Sequence, residues 1–378
     1  MLSPTYIDKL PDNLVDLYSQ AEIDIIIDIA RRITTYDFFI PSAEYQFKKS
    51  QDMGLLYNEI LKKLTATTGI AKEQLESLIK EAGTEALKFD DSLYRKAGKT
   101  PTPLDSNPAM QLTLNAGIQK TKGLFENLTS TTANTATKQF EKALDRAYMQ
   151  ITSGAFDYNS SIRMALKDLC RKGIAVVEYP SGHVDYIETA VRRATITGVN
   201  QTTGVLQEQR ADELDSDLVE VTAHAGARNT GEGAANHASW QGKIYSRSGK
   251  SKKYPSLVAV TGYGTGEGLK GWNCRHDFFP YIEGVSEEEY SNKVLKKMEA
   301  KKYTYNGQKI NEYEATQKQR YIERQIRRWK REEEAMKAMD MPTEESKAKV
   351  KEWQGIQRDF IKQTGLKRQY DREQIATK

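Results

Sequence analysis

Cysteine is nearly missing from this 378-residue chain, which holds only Cys170 and Cys274. Two thiols make no disulfide framework, and the expectation is a reducing compartment. Long apolar runs are missing as well. The stretch 24–30 reads Asp-Ile-Ile-Ile-Asp-Ile-Ala and is broken by acids, whereas a bilayer span takes about 20 apolar residues. The first residues show no charged segment leading into an apolar run and a small-residue cleavage site. Neither a secretion signal nor a membrane partner is expected, and the chain is expected to be soluble. Hydrophobic residues make up only 38% of the chain, and mean hydropathy is −0.68. With 20 Tyr and 4 Trp to bury, this composition fits a folded protein with much exposed helix surface rather than a disordered one. A strong charge bias is also missing. Net charge is +4, and the excess sits in 285–378, where 23 Lys and Arg stand against 17 Asp and Glu. Finally, no nucleophile is marked by a neighbouring base and no carboxylates are paired, which argues against an enzyme.

What is present is mostly helical periodicity. Leu14, Leu17, Tyr18, Ile25, Ile29 and Ile33 recur at three- and four-residue steps and predict a first long helix. A second is expected over 42–65 on Tyr45, Leu55, Leu56, Ile60 and Leu64, with Gly69 and Ile70 as punctuation and a new helix from Ala71. Pro101, Pro103 and Pro108 mark a linker. Helices resume near Ala109, and the Thr-rich stretch 128–137 is expected to join two of them, the second carrying Phe140, Leu144, Tyr148 and Ile151. Residues 160–172 predict an amphipathic helix closed by Gly173. The period then changes. Two β-runs around Pro180 and Gly182 predict a hairpin. A helix over 188–199, a strand over 217–223, Gly-rich loops to 271 and an extended segment over 272–281 are expected next. From 286 the chain is expected to be helical, with a long helix over 313–339 and a last one over 343–363 ended by Gly365. The fold class is therefore α+β and mostly helical. Four regions follow: an N-terminal helical region at 1–100, a second helical segment at 109–172, a small central α+β domain at 173–284, and a charged helical arm at 285–378.

The residues with chemistry crowd into 221–276. His224, His237, His276 and Cys274 lie there with Arg228, Gly264, Gly266, Trp240, Trp272, Asn273 and Arg275. Three arrangements suit them. His224, His237, Cys274 and His276 could hold zinc, which accepts imidazole and thiolate; residues two apart on an extended segment, such as Cys274 and His276, share a face. His237 or His276 could act as a general base with Arg228 or Arg275 stabilising an anion. Or the imidazoles and guanidiniums are structural, hydrogen-bonded to backbone carbonyls in a loop-rich domain, with Trp240 and Trp272 as core anchors. The structural arrangement is the preferred one, with no catalytic residue and no resident cofactor. The glycine string at 262–268 lacks the Gly-Lys-Ser/Thr ending of a phosphate loop and is expected to be a loop with several positive-φ positions. Arg320, Arg324, Arg327, Arg328, Lys330 and Arg331 crowd one helix and suggest weak, sequence-independent DNA contact. Glu323 and Glu332 to Glu334 oppose it.

The ordered strings 173–193, 197–201, 224–228, 237–243, 262–266 and 271–276, together with the helix from Tyr313, resemble the minor capsid protein family of tailed bacteriophages. That family is similar to the Mu F-like head morphogenesis proteins, where an Asn-Cys-Arg element closes a His-containing domain; His276 stands where their Cys-Arg-Cys ending has a second cysteine. The resemblance implies a structural virion component that acts with the portal protein inside the phage head, made in the host cytoplasm during assembly. It implies the portal and a major capsid or scaffold protein as partners, with phage DNA as a further, non-specific one. The rival functions are a virion-carried nuclease or ADP-ribosyltransferase-like effector and a dedicated non-specific DNA-binding protein.

Overall fold

A computed structural model describes residues 1–178, 184–300 and 302–375. The fold is α+β and mostly helical, as the sequence predicts. In chain order the elements are α1 (Pro4–Lys9), α2 (Asp12–Thr34), α3 (Ser42–Lys96), α4 (Pro108–Thr152), α5 (Tyr158–Lys172), β1 (Ala175–Glu178), β2 (Val184–Tyr186) and α6 (Ile187–Glu213). Then come β3 (Leu218–Val221), α7 (His237–Trp240), β4 (Ile244–Ser246), α8 (Leu257–Thr261), β5 (Phe278–Pro280) and α9 (Asn292–Glu299). The chain closes with β6 (Tyr303–Tyr305), β7 (Gln308–Ile310), α10 (Glu312–Lys337) and α11 (Glu344–Thr364). Among the described residues, no helix is long and apolar enough to cross a membrane. β1 and β2 pair antiparallel, while the turn expected at 180–182 lies outside the described residues.

Several expectations change; the helix expected over 188–199, for one, runs on to Glu213 as α6. The helix expected to end near 65 continues through Gly69 to Lys96. A single exposed glycine costs a helix only about 1 kcal/mol relative to alanine, and the buried positions Leu64, Thr68, Ala71, Leu75 and Ile79 keep their spacing across it. The Thr-rich stretch 128–137 is likewise the interior of α4 and not a join. Its hydroxyls bond carbonyls one turn back, as Thr129 does to Phe125 and Thr137 to Ala133, so the polar groups are satisfied inside the helix. Conversely, 303–310 is a β-hairpin where helix was expected. Asn306 and Gly307 both take positive φ, 48° and 77°, the conformation a two-residue hairpin turn demands. The Asn-Gly pair between Tyr-Thr-Tyr and Gln-Lys-Ile was the available signal.

The chain forms two compact units, each assembled from three stretches. The first comprises Met1–Asp12, Lys72–Leu124 and Arg192–Gln317. Its three-stranded antiparallel sheet has the order β4-β3-β5, with Val219 opposite Tyr245 on one side and Pro280 on the other. Within this unit α4 and α6 meet through a reciprocal motif. Gly117 and Thr121 on α4 oppose Thr202 and Gly198 on α6. A Cβ on either glycine would overlap the threonine of the other helix. Each threonine hydroxyl bonds the carbonyl of its own helix's glycine, at 2.7 Å for Thr121 and 2.8 Å for Thr202. The glycines admit the close approach and the threonines fill it without an unpaired hydroxyl.

The second unit comprises Asn13–Ala71, Phe125–Val191 and Lys318–Lys378. Its core includes the isoleucine face of α2, with Ile25, Ile29 and Ile33 buried as predicted. Thr129 donates to a carbonyl, so Thr68 must donate to Thr129 at 2.6 Å and Tyr18 to Thr68 at 2.7 Å. The direction of this buried chain is fixed by its last acceptor. α5 ends at Gly173 as predicted, with φ 91°. Its C-terminal carbonyls are covered by Arg331, whose guanidinium bonds the Cys170 and Arg171 carbonyls at 3.0 and 3.4 Å. Glu22 accepts from the Ile174 N–H at 2.8 Å and lies 3.5 Å from Arg331.

Magnitudes separate two kinds of glycine here. Gly69→Ala, in open space on α3, should stabilise by about 0.5–1 kcal/mol. Gly117→Ala should destabilise by about 1–3 kcal/mol through overpacking, and Thr202→Ala should recover part of that loss. Denaturant melts of the two single variants and the double variant check this; additive effects would show that Gly117 and Thr202 do not touch.

Candidate functional site

β3 sets the site. Its residues Val219 and Val221 join Trp240, Tyr245, Leu257, Leu269, Cys274 and Phe278 in one buried apolar cluster. Past the strand, Thr222 pairs with Asp277 by two bonds of 2.8 Å, one from its N–H to the Asp277 carbonyl and one from the Asp277 N–H to its hydroxyl. This pairing carries His224 and His276 to the same place. α7 opens on His237 and ends on Trp240, whose indole N–H bonds the Ala234 carbonyl at 3.0 Å. The glycine string folds back on itself. Only Gly262 and Gly264 within it take positive φ. Gly268, and Gly271 just beyond the string, are required instead because backbone carbonyls of residues 261–266 occupy the space a Cβ would need, so positive φ accounts for two of the four glycines at 262–268 and close approach for Gly268.

His237, Cys274 and His276 are all buried, and one ligand-type atom from each lies within 4.8 Å of the other two. The ring centroids of His237 and His276 are 5.3 Å apart, and those of His224 and His276 are 4.7 Å apart. The tautomers follow from the partners. His237 Nε2 faces the Glu267 carbonyl at 2.8 Å. A carbonyl only accepts, so Nε2 carries the proton. Gln241 Oε1 accepts the His224 backbone N–H at 3.0 Å, which fixes its amide orientation. His276 Nε2, at 3.0 Å from the same oxygen, must then be the donor. His276 Nδ1 is left as a lone pair 3.7 Å from Cys274 Sγ. Burial pushes the His237 pKa down to about 4, with the Arg228 charge adding to it. Burial also holds His276 well below the usual imidazole range, helped by His224 and His237. Both rings are therefore neutral at pH 7.

Of the residues singled out in the sequence, the fold brings together His224, His237, Trp240, Cys274 and His276, with Arg228 close enough to act on both buried imidazoles. It does not bring in the others. Trp272 is not a core anchor: it is 54% exposed and packs against Gly266, where a Cβ would meet its ring. Asn273 and Gly264 are exposed. Arg275 pairs with Asp8 at 3.0 Å. Two of the six basic residues on α10 face internal carboxylates. Arg331 is buried against Cys170 and Glu22, and Arg327 makes two bonds of 2.8 and 3.0 Å to Glu188. Lys330 reaches Gln374 at 2.6 Å, and Arg328 stacks 4.4 Å from the Trp329 ring. Arg324 is exposed and Arg320 half-buried on α10.

Several polar residues that support the site were not foreseen. Asn200 donates to the Cys274 carbonyl at 2.6 Å. Lys270 donates to Thr203 and Gln207 and forms an ion pair with Asp277 at 2.5 Å. Gln207 bonds Asp90 and the Phe278 carbonyl. Burial alone would raise the Asp277 pKa, but the Lys270 ammonium and other donors outweigh it and hold the carboxyl below its usual range. The signal was the polar row Asn200, Thr203 and Gln207 at helical spacing beside buried Val199 and Leu206.

A family model described as phage minor capsid protein 2 matches residues 2–362. The chain is 27% identical over 346 residues to a structural protein of Lactococcus phage LL-H, covering 87% of this chain and 88% of that one. It is 35% identical over 127 residues to a structural protein of Lactococcus phage mv4, covering 33% of this chain and 94% of that one. No solved structure matches.

Two outcomes follow from this geometry. Trp240→Ala should cost about 3–5 kcal/mol and Trp272→Ala less than about 1 kcal/mol in a denaturant melt. Stability should also depend on pH through His237. Between its unfolded value of 6.5 and its folded value of about 4, the unfolded chain binds more protons. Stability is therefore full above pH 6.5 and falls as pH drops toward 4, by about 3 kcal/mol for this one group. His276 acts in the same direction, so His237→Gln should shrink the slope without abolishing it. Chemical denaturation at a series of pH values, with chelator present, measures both.

Proposed function

The chain belongs to the phage minor capsid protein 2 family, and from that membership we propose that it is a structural component of the virion that acts in head morphogenesis. The observation that carries this is the extent of the likeness. The family model runs over residues 2–362, and the LL-H structural protein aligns over most of both sequences. In this proposal the protein joins the head beside the portal protein, contacts a major capsid or scaffold protein during assembly in the host cytoplasm, and ends inside the capsid. It performs no catalysis. The imidazoles that a nuclease or transferase would need exposed are buried, with the His237 and His276 Nε2 atoms each held by an oxygen.

The same geometry weakens the DNA-binding alternative. Phosphate contacts need several uncompensated cations, and two of the six on α10, Arg327 and Arg331, face internal carboxylates.

Mass spectrometry of purified virions should find this chain at a few copies relative to the major capsid protein. Co-expression should bring it down with the portal protein. Absence from virions purified to constant infectivity per protein mass would sink the proposal. Presence in virions without portal association would limit it to a capsid role elsewhere in the head.

A further inference from the structure

We propose that His237, Cys274 and His276 form a binding site for a divalent transition-metal ion of the zinc class. Three observations converge. All three side chains are at least nine-tenths buried, with relative exposures of 3%, 0% and 0%. They come from two separate stretches of chain, the start of α7 and the segment before β5, yet their ligand-type atoms meet within 4.8 Å. The Sγ to His276 Nδ1 separation of 3.7 Å is close to the edge of a tetrahedron whose metal bonds are about 2.0–2.3 Å.

The second observation concerns the outer partners. His237 and His276 both give their Nε2 proton to an oxygen, the Glu267 carbonyl and Gln241 Oε1. A metal-binding histidine characteristically donates its other ring proton in this way, which fixes the tautomer and aims the lone pair. Here the aiming is itself braced, because Gln241 Oε1 is held by the His224 backbone N–H. The third observation is the donor chemistry. Two imidazoles and a thiol suit zinc and its neighbours and disfavour magnesium or calcium, which take oxygen ligands.

A purely structural cluster accounts for part of this. The Cys274 thiol can donate to His276 Nδ1, and that pair is then satisfied. It gives no reason for His237 to converge on the same point. Arg228 opposes a cation, and conversion of the thiol to thiolate on binding offsets that charge. Binding forms two metal–nitrogen bonds and one metal–sulfur bond and releases the thiol proton to solvent. Among the described residues His224 is the further imidazole, with its ring centroid 4.7 Å from that of His276.

The test uses the full chain. Protein dialysed against chelator, reloaded with zinc and gel-filtered should retain about one zinc per chain by elemental analysis, and its melting temperature should rise on loading. Cobalt(II) should give a thiolate-to-cobalt charge-transfer band. That band should survive in Cys170→Ser, because Cys170 belongs to the other compact unit, and vanish in Cys274→Ser. His237→Gln should lower zinc retention at least tenfold. Should Cys274→Ser fail to fold, the cobalt band in Cys170→Ser decides alone. Absence of that band, or zinc retention unchanged by Cys274→Ser and His237→Gln, overturns the site. Neither result bears on virion membership, which is tested separately.

Discussion

The buried ion pair between Lys270 and Asp277 is the constraint on which the glycine-rich half of the first unit depends. Both side chains are out of water, at 2% and 0% exposure. Such a pair is held at a cost in desolvation, and losing one partner would strand the other charge. The surroundings are built to prevent that. Thr203 and Gln207 accept from Lys270. Asp277 accepts from the Leu2 and Phe278 N–H groups. The pair therefore pins both ends of a short segment against α6, and Asn200 pins its middle through the Cys274 carbonyl. Cys274 and His276 have little freedom left between these points. β5 begins at Phe278, directly after Asp277, and pairs with β3, which delivers His224 from the other side.

Much of the fold was legible because periodicity reports burial directly. The stripe through Leu14, Tyr18, Ile25, Ile29 and Ile33 is the buried face of α2, and Gly173 and Gly365 close α5 and α11 where the pattern ends. Punctuation was less dependable. Gly69 suggested a break, but its propensity cost is small beside the packing of the turns on either side. The threonines at 128–137 suggested a loop, but a hydroxyl that bonds its own helix carbonyl and fills a helix contact is at home there. The hairpin at 303–310 carries its signal in the sequence, since Asn306-Gly307 between two short runs is a strong local turn pattern.

The candidate site was legible as a set of residues and not as an arrangement. Sequence spacing brought out His224, His237, Cys274 and His276, but nothing in it distinguished Trp240, fully buried, from Trp272, largely exposed. That difference arises from where two loops land, which is a tertiary fact. The cations of α10 show the same limit. Arg331 reads as one positive charge among many, yet its donors complete the C-terminal turn of α5. Charge runs along a helix give the number of cations; only the packed partner decides which of them face water.

The assembly of each unit from three separated stretches has a consequence for how the chain reaches its structure. Glu22 and Arg331 are 309 residues apart in sequence, and the Leu2 N–H closes on Asp277 across 275 residues. Contacts of this separation give a high contact order, which slows folding because loop closure must precede the energetic gain. Neither unit is complete on a ribosome until its last stretch has emerged. At about 5–20 residues per second, the apolar faces of α2, α3 and α4 wait many seconds for partners encoded near the end of the message. Nascent chains of this protein are thus exposed to chaperones, and to premature association with one another, for most of their synthesis.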